Sequence, residues 1–176
     1  VIDWLGNGLV YHNLKRPAKL IEVETVLDVG AGVRPFGWYQ PRQHICVEPC
    51  AAYRTRLLKT GLEVIGTTAE QALSFLKPGA MGAIYMLDVI EHMERAVGLR
   101  CIELALMAQP RQIVVYTPLG FLEQDGPDPW GLGGELWQRH RSGWTPADFQ
   151  ADWSIEYHAN SFFAIWTNPR ESILAV

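Results

Sequence analysis

The chain runs to 176 residues, 48% of them hydrophobic, with 15 basic against 19 acidic residues for a formal charge of −4 at pH 7. That length suits a single domain burying about two-thirds of its unfolded surface, and the absence of a lysine–arginine cluster argues against nucleic acid as a partner. No signal peptide and no run of about 18 apolar residues occurs, so neither export nor a membrane span is expected, and the start at Val1 rather than Met leaves the native N-terminus open.

Leu9, Val10, Tyr11 and Leu14, with Lys15 and Arg16, predict a short amphipathic helix that stops near Pro17. Residues 26–35, VLDVGAGVRP, follow as the stretch around which the chain is organised. Val26, Leu27 and Val29 suit a buried strand, and Gly30 and Gly32 let the chain turn sharply and bring bare backbone against a ligand. A dinucleotide fingerprint needs a third glycine where this chain has Pro35, and Asp28 opposes phosphate while favouring a cationic group. The loop is therefore unsuited to NAD and suited to a nucleoside that carries positive charge.

Residues 44–50, HICVEPC, predict a second strand ending at Glu48, about 20 residues beyond Asp28, where an acid can hydrogen-bond ribose hydroxyls. Cys46 and Cys50 lack the spacing of a zinc pair, and with Cys101 the cysteines are odd in number. Reduced thiols in a cytoplasmic protein, and no metal site, are the expectation. Residues 51–60 predict a helix closed by Gly61, and residues 63–66 a third strand. Thr68 and Gln71 form a capping box for a helix that ends at residues 77–79. Residues 83–89, AIYMLDV, are a near-continuous apolar run ending at Asp88, the pattern of a strand buried on both faces of a parallel sheet. Glu91 and His92 come next, and from Met93 the residues Val97, Cys101, Ile102, Ala105 and Leu106 recur at helical spacing, with Gly98 costing about 1 kcal/mol relative to Ala. Residues 112–117 predict a fifth strand, cut off by Pro118.

Alternating strands and helices of this kind predict a doubly wound α/β sheet with ligands beyond the carboxyl ends of the strands, where Asp28, Glu48 and Asp88 all lie. Residues 119–143 break the rhythm. They are glycine-rich, hold two prolines, Trp130 and Trp137, and predict a lid or substrate wall. Thr145, Pro146 and Asp148 restart a helix, and residues 153–157 and 162–167 finish as a hairpin around residues 158–161.

With Glu48 and the LDVIEHM stretch in place, the chain resembles the class I S-adenosylmethionine-dependent methyltransferases, above all the small bacterial ones that act on metabolites, over residues 24–168. The resemblance implies a Rossmann-like sheet of seven strands, the last antiparallel, with helices on both faces and a single domain over residues 1–176. It assigns Asp28, Gly30 and Gly32 to the methionine part of S-adenosylmethionine, Glu48 to the ribose, and Thr68, Ala69 and Glu70 of TTAEQAL to the adenine, with Thr68 standing where many relatives have Asp and Pro49 also among the cofactor-binding residues. Asp88 and Val89 match the fourth-strand end beside the methionine. Arg34 and Pro35 depart from the glycine-rich pattern and resemble a GxRP variant carried by some bacterial members.

The expected reaction is methyl transfer to oxygen of a small-molecule acceptor. His92 and His140, the latter in the stretch HRSGW, are the candidate general bases, because a hydroxyl is a poor nucleophile at neutral pH. Each can equally be a structural histidine, and Trp38 and Trp144 are expected in the core. Two rivals are a cofactor-binding partner or regulatory module without catalysis, and a nucleotide-sugar or NAD enzyme, against which Pro35 counts. Oligomeric state is left open, since no heptad or isolated apolar stripe stands out.

Overall fold

The computed structural model describes residues 14–170. Five strands, β1 (Thr25–Val29), β2 (Gln43–Val47), β3 (Glu63–Ile65), β4 (Ala83–Leu87) and β5 (Gln112–Pro118), run parallel. A hairpin of β6 (Trp153–His158) and β7 (Ser161–Thr167) completes the sheet, with β7 antiparallel to both β5 and β6. The strand order is β3-β2-β1-β4-β5-β7-β6, so the chain reverses direction across the sheet between β1 and β4. Loops at the carboxyl ends of those two strands diverge there and leave a crevice.

Side chains alternate across the sheet, and each face is closed differently. On one face Leu27, Val29, Ile84, Met86, Ile113 and Val115 pack against helices α2 (Ala69–Ser74) and α3 (Arg95–Met107). On the other, α1 (Ala51–Leu58) sets Leu57 over Cys46, while Tyr85, Val114 and Phe163 are covered by Leu20, Val23, Phe36, Trp38 and Tyr39. Helices thus lie on both faces. No helix links β1 to β2, and Phe36, Trp38, Tyr39 and Tyr85 fill that space as tilted and edge-on rings. Pro35 and Pro41, which lack a backbone donor, disfavour a continuous helix there. Among the described residues no helix is long and apolar enough to cross a membrane.

The sequence pattern and the structure differ in several places, among them α2, which ends at Ser74 rather than at residues 77–79. The helix expected over residues 9–16 falls largely outside the described residues, and Leu14, Lys15 and Arg16 are not helical. The capping box at Thr68 is half formed: its hydroxyl accepts from Gln71 N–H at 3.3 Å, but the Gln71 amide oxygen accepts from the Thr67 hydroxyl instead of closing the box. The helix expected from Met93 starts at Arg95, because residues 90–92 form one 3₁₀ turn. The helix expected at Thr145 is likewise a single 3₁₀ turn, Pro146–Asp148, held by a true capping box between Thr145 and Asp148.

Gly98, an apparent weakness in α3, has a packing reason. A Cβ there would lie 2.5 Å from Trp144 Cζ2, so the fully buried indole sits on the bare helix backbone. Trp144 and Trp38 are both packing residues, each with its ring N–H bonded, to Ser142 Oγ at 2.9 Å and to Leu14 O at 2.7 Å.

Candidate functional site

The turn after β1 is shaped by Gly30, whose φ of +67° is cheap only without a Cβ, and an added Cβ would strike Val89 Cγ2 at 2.8 Å. Gly30 and Ala31 donate to Val47 O at 2.7 and 3.3 Å, which fixes the loop against β2. Asp88 ends β4 in the left-handed region at φ +54°, a conformation Asp tolerates better than most residues, while its N–H bonds Tyr116 O at 2.9 Å.

Two cavities open beyond these strand ends. The smaller, about 230 Å³, is lined by Gly30, Gly32, Glu48, Pro49, Thr68, Ala69, Glu70, Asp88 and Val89, together with Tyr53, His92 and Trp137. Every residue that the resemblance assigned to the cofactor is in this set except Asp28. That carboxylate is buried and accepts from Phe36 N–H at 2.9 Å and from His44 Nε2 at 3.1 Å, so it holds the glycine loop from behind and lines neither cavity. Glu48 is buried too. Its Oε1 accepts from Cys50 N–H at 2.7 Å and its Oε2 from Gly32 N–H at 2.8 Å, leaving one lone pair on each oxygen for a ligand. Burial raises its carboxyl above the ordinary range, against the pull of those two N–H donors.

The larger cavity, about 420 Å³, shares Gly30, Gly32, Asp88, His92 and Gln138 with the first, and its far wall comes from the 119–143 segment through Leu122, Gln124, Trp130 and His140. Arg34 crosses this cavity with its guanidinium 4.3 Å from the centre of the Trp130 ring. Burial lowers its pKa, while the negative charge of Asp88 works in the other direction.

The 119–143 segment is pinned at both ends and in its middle. Gly120 N–H bonds Trp144 O at 2.7 Å, and Arg141 and Ser142 donate to Glu91 O at 2.7 and 3.1 Å, which ties HRSGW to the turn after β4. Asp128 organises the centre: its carboxylate accepts from the N–H groups of Trp130, Leu132 and Gly134 and from the Tyr53 hydroxyl at 2.7 Å. Those bonds carry α4 (Glu135–Gln138), which puts Trp137 and Gln138 over the smaller cavity. Sequence reasoning named neither Asp128 nor Tyr53. The Asp-Pro-Trp-Gly order is a type I turn signal, realised here as Gly131 N–H to Asp128 O at 3.0 Å, but nothing in it pointed to Tyr53, 75 positions away.

The two candidate bases meet. His92 and His140 ring centres are 4.7 Å apart, edge to face; His92 lines both cavities and His140 the larger one. His92 Nδ1 faces Arg139 O at 3.3 Å, and His140 Nδ1 faces Leu122 O at 2.6 Å. Burial, and then the neighbouring His140, depress the His92 pKa to about 4. Glu91 lies beneath them, with Oε2 accepting from the Thr117 hydroxyl at 3.1 Å; burial and the charge of Asp88 drive its carboxyl well above the ordinary range.

No family model and no curated protein sequence matches the chain. Solved structures do share its fold. A protein of Pyrococcus horikoshii matches with a TM-score of 0.57 at 12% identity, covering 81% of this chain and 81% of that one. An S-adenosylmethionine-dependent methyltransferase of Archaeoglobus fulgidus matches with a TM-score of 0.53 at 11% identity, covering 81% and 85%. Monomeric WbdD matches with a TM-score of 0.55 at 13% identity, covering 81% of this chain but 36% of WbdD, so the chain spans about a third of that protein. The chain shares its fold, built here on a mixed seven-stranded sheet, with these structures, an S-adenosylmethionine-dependent methyltransferase among them.

Proposed function

We propose that the protein transfers the sulfonium methyl group of S-adenosylmethionine to an oxygen of a small-molecule acceptor. The observation that carries this reading is the pair of cavities meeting at Asp88 and His92, the smaller bordered by the glycine turn, Glu48 and the Thr68–Glu70 stretch that the sequence resemblance assigns to the cofactor. In this reading Glu48 accepts from the ribose hydroxyls through its remaining lone pairs, and Ala69 and Glu70 border the adenine. Asp88 lies beside the positively charged methionine end. Asp28 acts at one remove by holding the loop.

The acceptor occupies the larger cavity. Its oxygen attacks the methyl carbon in line with the departing sulfur, S-adenosylhomocysteine leaves, and the hydroxyl proton passes to a base. His92 and His140 stand at the junction where that oxygen would lie. A neutral His92 accepts a hydrogen bond but takes up a proton weakly near pH 7, and His140 stands in ring contact with it as the second candidate. The free, buried state of Cys46, Cys50 and Cys101 supports a cytoplasmic setting.

Calorimetry tests the cofactor half. Glu48→Ala removes paired charge-assisted bonds and should weaken S-adenosylmethionine binding by about 1.5–3 kcal/mol, roughly ten- to a hundredfold. Unchanged affinity would remove Glu48 from the site. Transfer of labelled methyl from the cofactor into a metabolite extract tests the acceptor half, and label appearing only in protein or nucleic acid would overturn it.

A further inference from the structure

We propose that Glu91, His92 and His140 bind a divalent transition-metal ion at the floor of the larger cavity. One donor atom from each of these residues lies within 4.8 Å of those of the other two, which brings two imidazoles and a carboxylate to one point from the turn after β4 and from the HRSGW stretch. The cavity there has no protein cation of its own among its lining residues except Arg34.

The protonation pattern suits a metal. A backbone carbonyl can only accept, so Nδ1 of each ring carries the proton, donated to Arg139 O by His92 and to Leu122 O by His140. The Nε2 lone pair of each is then the one left to coordinate, and the carbonyls fix ring orientation as outer-shell partners do in metal sites.

Glu91 supplies a second, independent observation. It is 2% exposed, and its Oε1 makes no hydrogen bond among the described residues, although leaving a buried polar atom unpaired is costly. Its other oxygen is held by Thr117, and its backbone oxygen takes the N–H groups of Arg141 and Ser142. Such fixing makes sense for a carboxylate whose Oε1 waits for a cation.

Two nitrogens and one oxygen suit Zn²⁺, Mn²⁺, Fe²⁺ or Co²⁺ better than the all-oxygen preference of Mg²⁺ and Ca²⁺. With bonds of about 2.1 Å, tetrahedral ligands sit about 3.4 Å apart, so the donors draw in by at most about 1.4 Å when the ion enters. Three protein ligands leave a position open to the cavity for an oxygen ligand such as water or a hydroxyl. The second titratable cluster, Asp28, His44 and Cys46, offers no such site, since Asp28 is already bonded to His44 and Phe36 and burial keeps the Cys46 thiol protonated.

Metal binding rests on this cluster alone; a role for the ion toward a hydroxyl acceptor rests on the methyl-transfer reading, and because the ion takes the Nε2 lone pairs of both rings, the base role of His92 or His140 belongs to the metal-free site. The test is a Co²⁺ titration of the purified full chain without cofactor, followed by its visible d–d absorption and by calorimetry. The expected result is one ion per chain with a four- or five-coordinate spectrum. Glu91→Gln and His140→Ala, each checked for native circular dichroism, should weaken binding at least about a hundredfold, while His158→Ala, outside the cluster, should bind as the wild type does. No Co²⁺ uptake by the wild type, or unchanged uptake in Glu91→Gln, would overturn the site. Neither result bears on S-adenosylmethionine binding, which is measured separately.

Discussion

Asp128 is where a single buried carboxylate sets the shape of both cavities, and its removal has a calculable consequence. It accepts four hydrogen bonds, from Tyr53 Oη at 2.7 Å, Trp130 N at 3.0 Å, Leu132 N at 2.7 Å and Gly134 N at 3.1 Å. Bonds to a charged acceptor contribute about 1.5–3 kcal/mol each, but they share one acceptor and the freed amides can reach water once the loop opens, so the sum overstates the loss. Asp128→Ala should cost about 2–4 kcal/mol, bounded above by the free energy of opening this loop. Tyr53→Phe leaves the three amide bonds intact and should cost about 1 kcal/mol. Burial pushes the Asp128 carboxyl upward, but its N–H and hydroxyl donors prevail and its pKa lies below the ordinary value. A lowered folded pKa means that its contribution is complete above the unfolded carboxyl pKa and is lost as pH falls through the folded one. The gap between wild type and Asp128→Ala should therefore narrow in acid. The assay is hydrogen exchange by mass spectrometry at pH 7, comparing peptides over residues 125–138 with those over β4 and β5. Loss of protection in the loop with the sheet unchanged is expected. Equal loop protection in wild type and Asp128→Ala would refute the anchoring argument.

Gly98→Ala gains about 1 kcal/mol of helix propensity but forces a methyl to 2.5 Å from a fully buried indole, an overpacking cost of about 1–3 kcal/mol; the melting temperature should fall by a few degrees, and a rise would contradict the packing account. Gly30→Ala puts a side chain into the left-handed region and against Val89, so S-adenosylmethionine affinity should drop by at least about tenfold in calorimetry, with wild-type affinity counting against the cofactor site. Asp148→Ala removes the capping box at Thr145 together with the ion pair to Arg95, and urea denaturation should show a loss of about 1–2 kcal/mol. The 119–143 segment exposes Phe121, Leu122, Leu136 and Trp137, and binding of cofactor with acceptor should increase its hydrogen-exchange protection; equal and strong protection in both states would make it a fixed wall.

Much of this protein was legible from residue order because its signals are local. An apolar run ending in an acid is a strand delivering a carboxylate to the sheet's edge, and Glu48 and Asp88 arrive at the cavities by that logic alone. Gly30 announced its turn, since only a residue without a Cβ adopts that backbone cheaply beside Val89. The same local reading does not show which way Asp28 faces. Its position at a strand end was correct, but strand alternation turns it to the face opposite Leu27 and Val29, where it meets His44 and Phe36. Which face a strand-end carboxylate meets depends on where the sheet's layers lie.

Contacts between segments far apart in the chain were decided by tertiary packing. Tyr53 and Asp128, and the approach of His140 to His92 and Glu91, arise because α1 and the turn after β4 flank a loop whose own residues carry no period. Gly98 looked like a flaw in a helix until Trp144 was seated on it. Sequence spacing encodes which side a residue faces along its own element, whereas the partner it finds there is set by how the elements stack, and in this protein that stacking assembles the histidine–glutamate cluster and closes the cavities.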